Sequence, residues 1–292
     1  MHDECTMETR LLSRQNTITN TSGRSPGYLQ ANLLILPAKH AQSFHDLCRR
    51  NPVPCPLLGT TPQGDPYTVW PQGCIQSTDF DIRTDCPAYR VYLHGKCIEY
   101  RRDLLDVWTK DCVGFLIGCS FSFEDALVTA GLPPRHQQTG TVTPMYRTCL
   151  PLLPAGIFTD VTSIVSMRPY RPEDIDKVRE VTRPFLSTHG EPVAWGWEAM
   201  QRLGIADIQR PDFGEAPVIH EGEVPVFWVK AILYSNLLRQ DMCAKNQIGL
   251  RCHSPGGRGI GWGPNRWLGF CPRARQYAGH GLDWGDVRQL PN

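Results

Sequence analysis

Residues 112–131 read CVGFLIGCSFSFEDALVTAG, and the change of pattern inside them decides the fold class. The run from Cys112 to Cys119 is continuously apolar, as in a strand covered on both faces. From Ser122 onward the apolar residues take a helical period, with Phe123, Ala126, Leu127 and Ala130 on one side. Ser122 followed three residues later by Asp125 has the form of a capping box, and Gly131 suits the position just past a helix end. A strand that passes at once into a helix calls for two packed layers.

The flanking sequence repeats this alternation. YLQANLLILP (28–37) is a buried strand stopped by Pro37. AKHAQSFHDLCRR (38–50) is a helix with Ala41, Phe44, Leu47 and Cys48 facing inward, ended by Asn51 and Pro52. Residues 52–87 are rich in Pro, Gly and Asp and read as loops. AYRVYLHGKCIEY (88–100) is a hairpin turning at His94 and Gly95. TSIVSMRP (162–169) is a further strand, followed by a helix from Pro172 that turns Ile175, Val178, Val181 and Phe185 inward. PVAW (192–195) and EVPVFW (223–228) add two strands. The fold class is α/β of the mixed kind. The expected organisation is an N-terminal segment (1–26), a main α/β domain (27–152, with strand 223–228), a smaller α+β unit (153–222) and a tail (229–292). PLLPAGIF (151–158) marks the boundary between the two structured parts.

Composition narrows the function. Thirty basic and 29 acidic residues leave a net charge of +1, spread evenly, so no footprint for nucleic acid or an anionic membrane is present. No apolar run reaches the roughly 20 residues that span a bilayer. The first residues lack the apolar centre of a secretory signal. An intracellular place follows, cytoplasmic or mitochondrial. The twelve cysteines form no CxxC pair and sit mostly in apolar segments, as buried free thiols do.

The junction GCSFSFE (118–124) is the most suggestive local feature, because a helix N-terminus presents free N–H groups and partial positive charge. Ser120 and Ser122 add hydroxyl donors, and a thiol at Cys119 would be activated there. The bland alternative is a capped helix after a core strand. Arg83, Arg90, Arg147 and Arg168 stand at the ends of apolar segments, where convergent guanidinium groups would suit a small dicarboxylate. Individually each reads equally well as an ion-pair residue. Asp81, Asp85 and Glu124 are candidate bases, and His136 and His189 candidate proton carriers near neutral pH. No Walker loop, HExxH or GxGxxG is present, and no set of hard oxygen ligands at recognisable spacing argues for a metal. No cofactor is expected.

Nine segments in order resemble the D-glutamate cyclase family: PGYLQANLLILP, RRNPVPCPLL, DIRTDCPAYRVY, VGFLIGCSFSFEDAL, TPMYRT, SIVSMRP, STHGEPV, RPDFGE and GEVPVFW, over roughly residues 10–228. The resemblance implies a hydro-lyase that cyclises D-glutamate to 5-oxo-D-proline with loss of water. Its substrate would be a small amino dicarboxylic acid. The expected catalytic residues are Glu124, Asp85 and His136. The expected substrate-binding residues are Arg83, Arg147, Arg168, Ser120, Ser122, Gln30 and Asn32. A non-catalytic carboxylate-binding protein on the same scaffold, or a hydro-lyase for another small acid, is the alternative.

The resemblance ends at Trp228, where family members continue with Gly-Val-Thr-Pro-Gln and later His-Ala-Pro-Gly. Both motifs emerge when 251–257 and 270–282 are written in allowed codons and read one base later. The tail then reads as an exon out of frame behind an unremoved intron, irregular and without a selected pattern. Such a tail would leave the strands CVGFLIG and PVFW partly uncovered.

Overall fold

The structure is a computed structural model that describes residues 2–72, 75, 77–94, 96–230, 242–243 and 247–250. Its centre is β1 (Leu29–Pro37), paired antiparallel with β5 (Cys112–Gly118) from Ala31 opposite Gly118 to Pro37 opposite Cys112. Successive β1 side chains point to opposite faces. Leu34 and Leu36 enter one core with Phe115 and Ile117 of β5, whereas Ala31, Leu33 and Ile35 enter another with Leu116. Both faces are covered, as the unbroken apolar runs require, although the pairing is antiparallel. The helix α2 (Ala38–Arg50) follows β1 and buries Phe44, Leu47 and Cys48 in the first of these cores.

The first sheet runs β2 (Leu57–Thr60), β5, β1, β10 (Met242–Cys243), β3 (Tyr89–Leu93) and β4 (Lys96–Arg101), with β11 (Gln247–Leu250) also on β1. β3 and β4 are the expected hairpin, Leu93 standing opposite Lys96. A second, four-stranded sheet has the order β6 (Met145–Pro151), β7 (Thr162–Tyr170), β9 (Val224–Lys230), β8 (Ala194–Trp195). One face packs on α6 (Glu198–Leu203) through Ala199 and Leu203, the other on α5 (Ile175–Thr182) through Ile175 and Val178. Both sheets lie in the compact unit Met1–His253. No helix among the described residues is long and apolar enough to cross a membrane.

Several expectations are corrected. The strand around 223–228, grouped above with the main domain, is β9 and pairs with β7 and β8, its Val226 and Trp228 belonging to the core over α5. The tail was to begin at 229, but Val229 and Lys230 complete β9, and 242–243 and 247–250 pair with β1. An unpaired strand edge is a strong template for such pairing. The strands at 112–118 and 224–230 are accordingly well covered: Phe115, Leu116, Ile117, Val226, Phe227 and Trp228 are all buried. The rest of the tail lies outside the described residues. The expected capping box does not form, since no side chain caps α3 (Glu124–Thr129), whereas Gly131 does take the left-handed conformation at its end. The chain before residue 27, read as a mere segment, contains α1 (His2–Arg14), and the loop-rich stretch holds β2.

One glycine fixes how the sheets join. A Cβ on Gly118 would lie 1.9 Å from the carbonyl oxygen of Ser187, so the backbone carrying Thr188 and His189 touches the end of β5 directly. Gly118→Ala is expected to cost about 1–3 kcal/mol through forced displacement of that backbone. Gly131, left-handed but with open space around its Cβ position, should cost only about 1 kcal/mol as Gly131→Ala. Urea unfolding of the two variants checks the ranking.

Candidate functional site

In the β7–β9 ladder Ser166 stands opposite Trp228, Arg168 opposite Val226 and Ile164 opposite Lys230. Opposed residues of an antiparallel pair share a face. The period of two thus puts Ser166, Arg168, Trp228 and Lys230 on one side of the second sheet. Onto that side pack a short 3₁₀ turn (Ser120–Phe123) and α3, both entered directly from β5.

The Arg168 side chain is completely buried, and its guanidinium lies 5.2 Å from the ring centres of both Phe123 and Trp228. A buried cation needs a counter-charge and hydrogen-bond acceptors. Nη2 donates to Glu124 Oε1 at 2.5 Å and to Ser120 Oγ at 3.2 Å, and Nη1 donates to Ser166 Oγ at 3.2 Å. Glu124 is itself buried. Its Oε2 accepts from Gln137 Nε2 at 2.8 Å and Ser22 Oγ at 3.1 Å, and His136 Nε2 approaches Oε1 to 3.1 Å. His136 and Gln137 come from α4 (Arg135–Thr139).

Burial pushes the Glu124 carboxyl up, but Arg168 and His136 outweigh it and bring it to about 2, from an ordinary 4.5. Burial moves His136 the other way, below its usual 6.5, with Glu124 only partly restoring it. Near neutral pH the pair is therefore a carboxylate beside a neutral imidazole. Several buried nitrogens here have no hydrogen-bond partner among the described residues: Arg168 Nε, His136 Nδ1 and Trp228 Nε1. Orphaned polar atoms in a core are uncommon and concentrate where a site needs unspent capacity.

Glu124 also lines a cavity of about 160 Å³, together with Arg24, Gln30, Phe121, Ser122, Asp125 and Gln137. Its far wall is the loop Gly23–Gly27, held from both sides. Ser25 Oγ donates to Thr9 Oγ1 of α1 at 2.9 Å, and Gln30 Nε2 donates to the Arg24 carbonyl at 2.9 Å. A larger, more open depression of about 440 Å³, bordered by Trp197, His220 and Glu223, contains none of the clustered residues and lacks their buried charge.

The structure thus brings together Glu124, His136, Arg168, Ser120, Ser122 and Gln30. It does not bring in the others. Asp85 is buried against Arg14 Nε at 2.6 Å and Arg10 Nε at 3.2 Å, where it pins α1 to the loop at 79–85. Burial raises its carboxyl above 3.8 despite these cations. Arg83 turns back on Asp81, two residues away, and on Tyr67. Arg147 is half exposed, with Asp212 at 3.6 Å and Phe213 under its guanidinium. Asn32 lies two residues along β1 from Gln30, opposite Ile117. The junction is not an open anion site either. Its turn is short, Glu124 occupies it, and the Ser122 hydroxyl accepts from the Gln30 N–H at 2.7 Å. His189, a supposed proton carrier, is pushed down to about 3 by burial, with its Nδ1 3.0 Å from the Val53 carbonyl.

Sequence reading missed Lys230, Ser166, Gln137 and Ser22. Lys230 is buried with Nζ 5.4 Å from the Phe121 ring centre, and no carboxylate lies within ion-pair distance among the described residues. Burial, helped by Arg168, lowers its amine below 10.5. The signal for it was the two-residue period of PVFWVK, which continues one step past the last recognised motif.

The stability of the cluster should be pH-dependent in a defined sense. Glu124 has a folded value below its unfolded one, so its contribution is complete above about 4.5 and is lost as pH falls through about 2. Glu124→Gln is expected to cost about 3–5 kcal/mol at pH 7 by leaving Arg168 buried without its counter-charge. Thermal unfolding followed from pH 7 to pH 2 should fall less steeply for Glu124→Gln than for the wild type.

A family model described as D-glutamate cyclase matches residues 113–256, running past Trp228 where the sequence resemblance seemed to stop. A Schizosaccharomyces pombe protein named "Putative hydro-lyase" is 44% identical over 251 residues, 86% of this chain and 81% of that protein. Proteins with the same name from Jannaschia sp. and Bordetella petrii are 45% and 48% identical, covering 75% and 71% of this chain and 80% and 76% of their own. These residues, the matched stretch and the extent of identity lead to one conclusion: the chain belongs to the D-glutamate cyclase family.

Proposed function

We propose that the protein is a hydro-lyase that closes D-glutamate into 5-oxo-D-proline with release of water. The observation that carries this reading is the buried Arg168–Glu124–His136 cluster set beside a small polar cavity that Glu124 itself lines. The family membership supports the same reading.

The chemistry makes one C–N bond and breaks one C–O bond. The α-ammonium gives up two protons in total, its nitrogen attacks the γ-carboxyl carbon, and both protons leave on the departing oxygen as water. A neutral imidazole suits the proton transfers, because it accepts at nitrogen and returns the proton to oxygen. His136 is neutral near pH 7 for the reason given above, so it is the base in this scheme. Glu124, held ionised by its donors, orients His136 and steadies the imidazolium formed on the way, the role of the third group behind a catalytic base. Arg168 supplies positive potential for the developing oxyanion in a water-poor surrounding. The cavity brings the two ends of a flexible five-carbon chain together, which removes much of the entropic barrier to ring closure.

The direct test is 5-oxoproline formation from D-glutamate, with L-glutamate as control. His136→Gln is expected to lower kcat by about 10²–10⁴-fold, the usual contribution of general acid–base catalysis, while leaving the fold intact by circular dichroism. The wild-type pH profile should lose activity on an acid limb below 6.5, since the imidazole must be unprotonated and its value lies beneath the ordinary one. Ligand-induced thermal stabilisation without any product would favour a non-catalytic binding protein instead.

A further inference from the structure

We propose that Arg24 and Asp125 form the recognition pair of the cavity, Arg24 holding a substrate carboxylate and Asp125 the substrate ammonium. This rests on the reading of the cavity as the substrate site, and it adds two residues to which neither the sequence pattern nor the buried cluster gives a binding role.

Arg168 is paired with Glu124, Arg83 with Asp81 and Arg147 with Asp212. A dicarboxylate entering the cavity finds none of them free. Among the described residues lining the cavity Arg24 is the one cation. Its side chain is exposed and has no hydrogen-bond or ion-pair partner among the described residues. Asp125, the carboxylate next to Glu124 on the same wall, is likewise without one.

The two backbones are nevertheless fixed. Arg24 sits between Gly23 and Ser25, both at positive φ, and its carbonyl accepts from Gln30. Ser25 is buried and tied to Thr9. Asp125 follows Glu124, whose carboxylate is held from α4, β7 and the Ser22 loop. Two opposite charges, each next to a residue tied by hydrogen bonds and each unpaired among the described residues, line one cavity. That is the pattern of a site whose counter-ions arrive with the ligand, and both signs together select a zwitterion. The remaining carboxyl of an amino dicarboxylic acid is then left toward Ser122 and the Glu124–His136 side, where ring closure would occur.

The experiment is calorimetric titration of the full chain and of Arg24→Gln and Asp125→Asn with three probes. D-glutamate carries both recognised groups, glutarate lacks the amine, and 4-aminobutyrate lacks the α-carboxylate. The wild type should bind D-glutamate best. Arg24→Gln should weaken D-glutamate and glutarate by about ten- to hundredfold, the range of a charge-assisted hydrogen bond. Asp125→Asn should weaken D-glutamate to a similar degree and leave glutarate unchanged or tighter. Arg24→Gln with undiminished glutarate binding overturns the proposal, as does Asp125→Asn weakening both acids equally, or a wild type that binds none of the three. Binding with the expected variant pattern but no 5-oxoproline would uphold the pair and sink the cyclase reading, so the two fail separately. Both side chains reach toward solvent, and neither variant should lower the unfolding midpoint appreciably.

Discussion

A guanidinium with no access to water is the constraint around which this protein is arranged. Arg168 stands on a sheet face it shares with Ser166 and Lys230, with Val226 opposite and its guanidinium 5.2 Å from the ring centres of both Trp228 and Phe123. Moving such a charge out of water costs several kcal/mol unless a counter-ion and acceptors meet it. Glu124, Ser120 and Ser166 do so, and they come from β7 of the second sheet and from the turn and helix that follow β5 of the first. The ion pair is therefore also the seam of the fold. Replacing it by apolar groups of similar shape would often be neutral for stability. Its presence here bears on the neighbouring imidazole, which lies 3.1 Å from Glu124.

The cluster keeps its protonation states apart by environment. Glu124 is driven toward the anion by two neighbours, His136 toward the neutral ring by burial, and Lys230 toward the neutral amine by burial and by Arg168. Burial and Arg168 both act against a second full cation at Lys230. Paired groups whose environments push them in opposite senses are a recurrent property of acid–base sites.

Most of the fold was legible because apolar spacing reports burial directly. The runs at 29–37 and 112–118, the helix at 38–50 and the hairpin at 89–101 all read correctly from their periods. What spacing does not report is which strand lies beside which, so the pairing of β9 with β7 and β8 was not legible. α1 escaped notice because its surface is polar and Arg10 and Arg14 dock it through charge rather than through an apolar stripe. The site was legible by half for a related reason. Arginine and aspartate in a motif announce that a partner exists without naming it. Arg83 had its answer two residues away in DIRTD, while Arg168 had to wait for a residue 44 positions earlier in the chain. Asp85 resembled a base only until its two arginines were seen.

The position of β9 in the chain has a consequence for synthesis. It is an inner strand of its sheet, yet residues 224–230 leave the ribosome after every other part of that sheet. Until they arrive, β7 presents a bare edge, and Arg168 lacks the indole that covers one side of it. A nascent chain halted before residue 224 would expose an unpaired strand beside a partly desolvated charge, a state prone to pairing with other chains. Emergence of residues 224–230 is thus the event that covers β7 and brings the indole to Arg168.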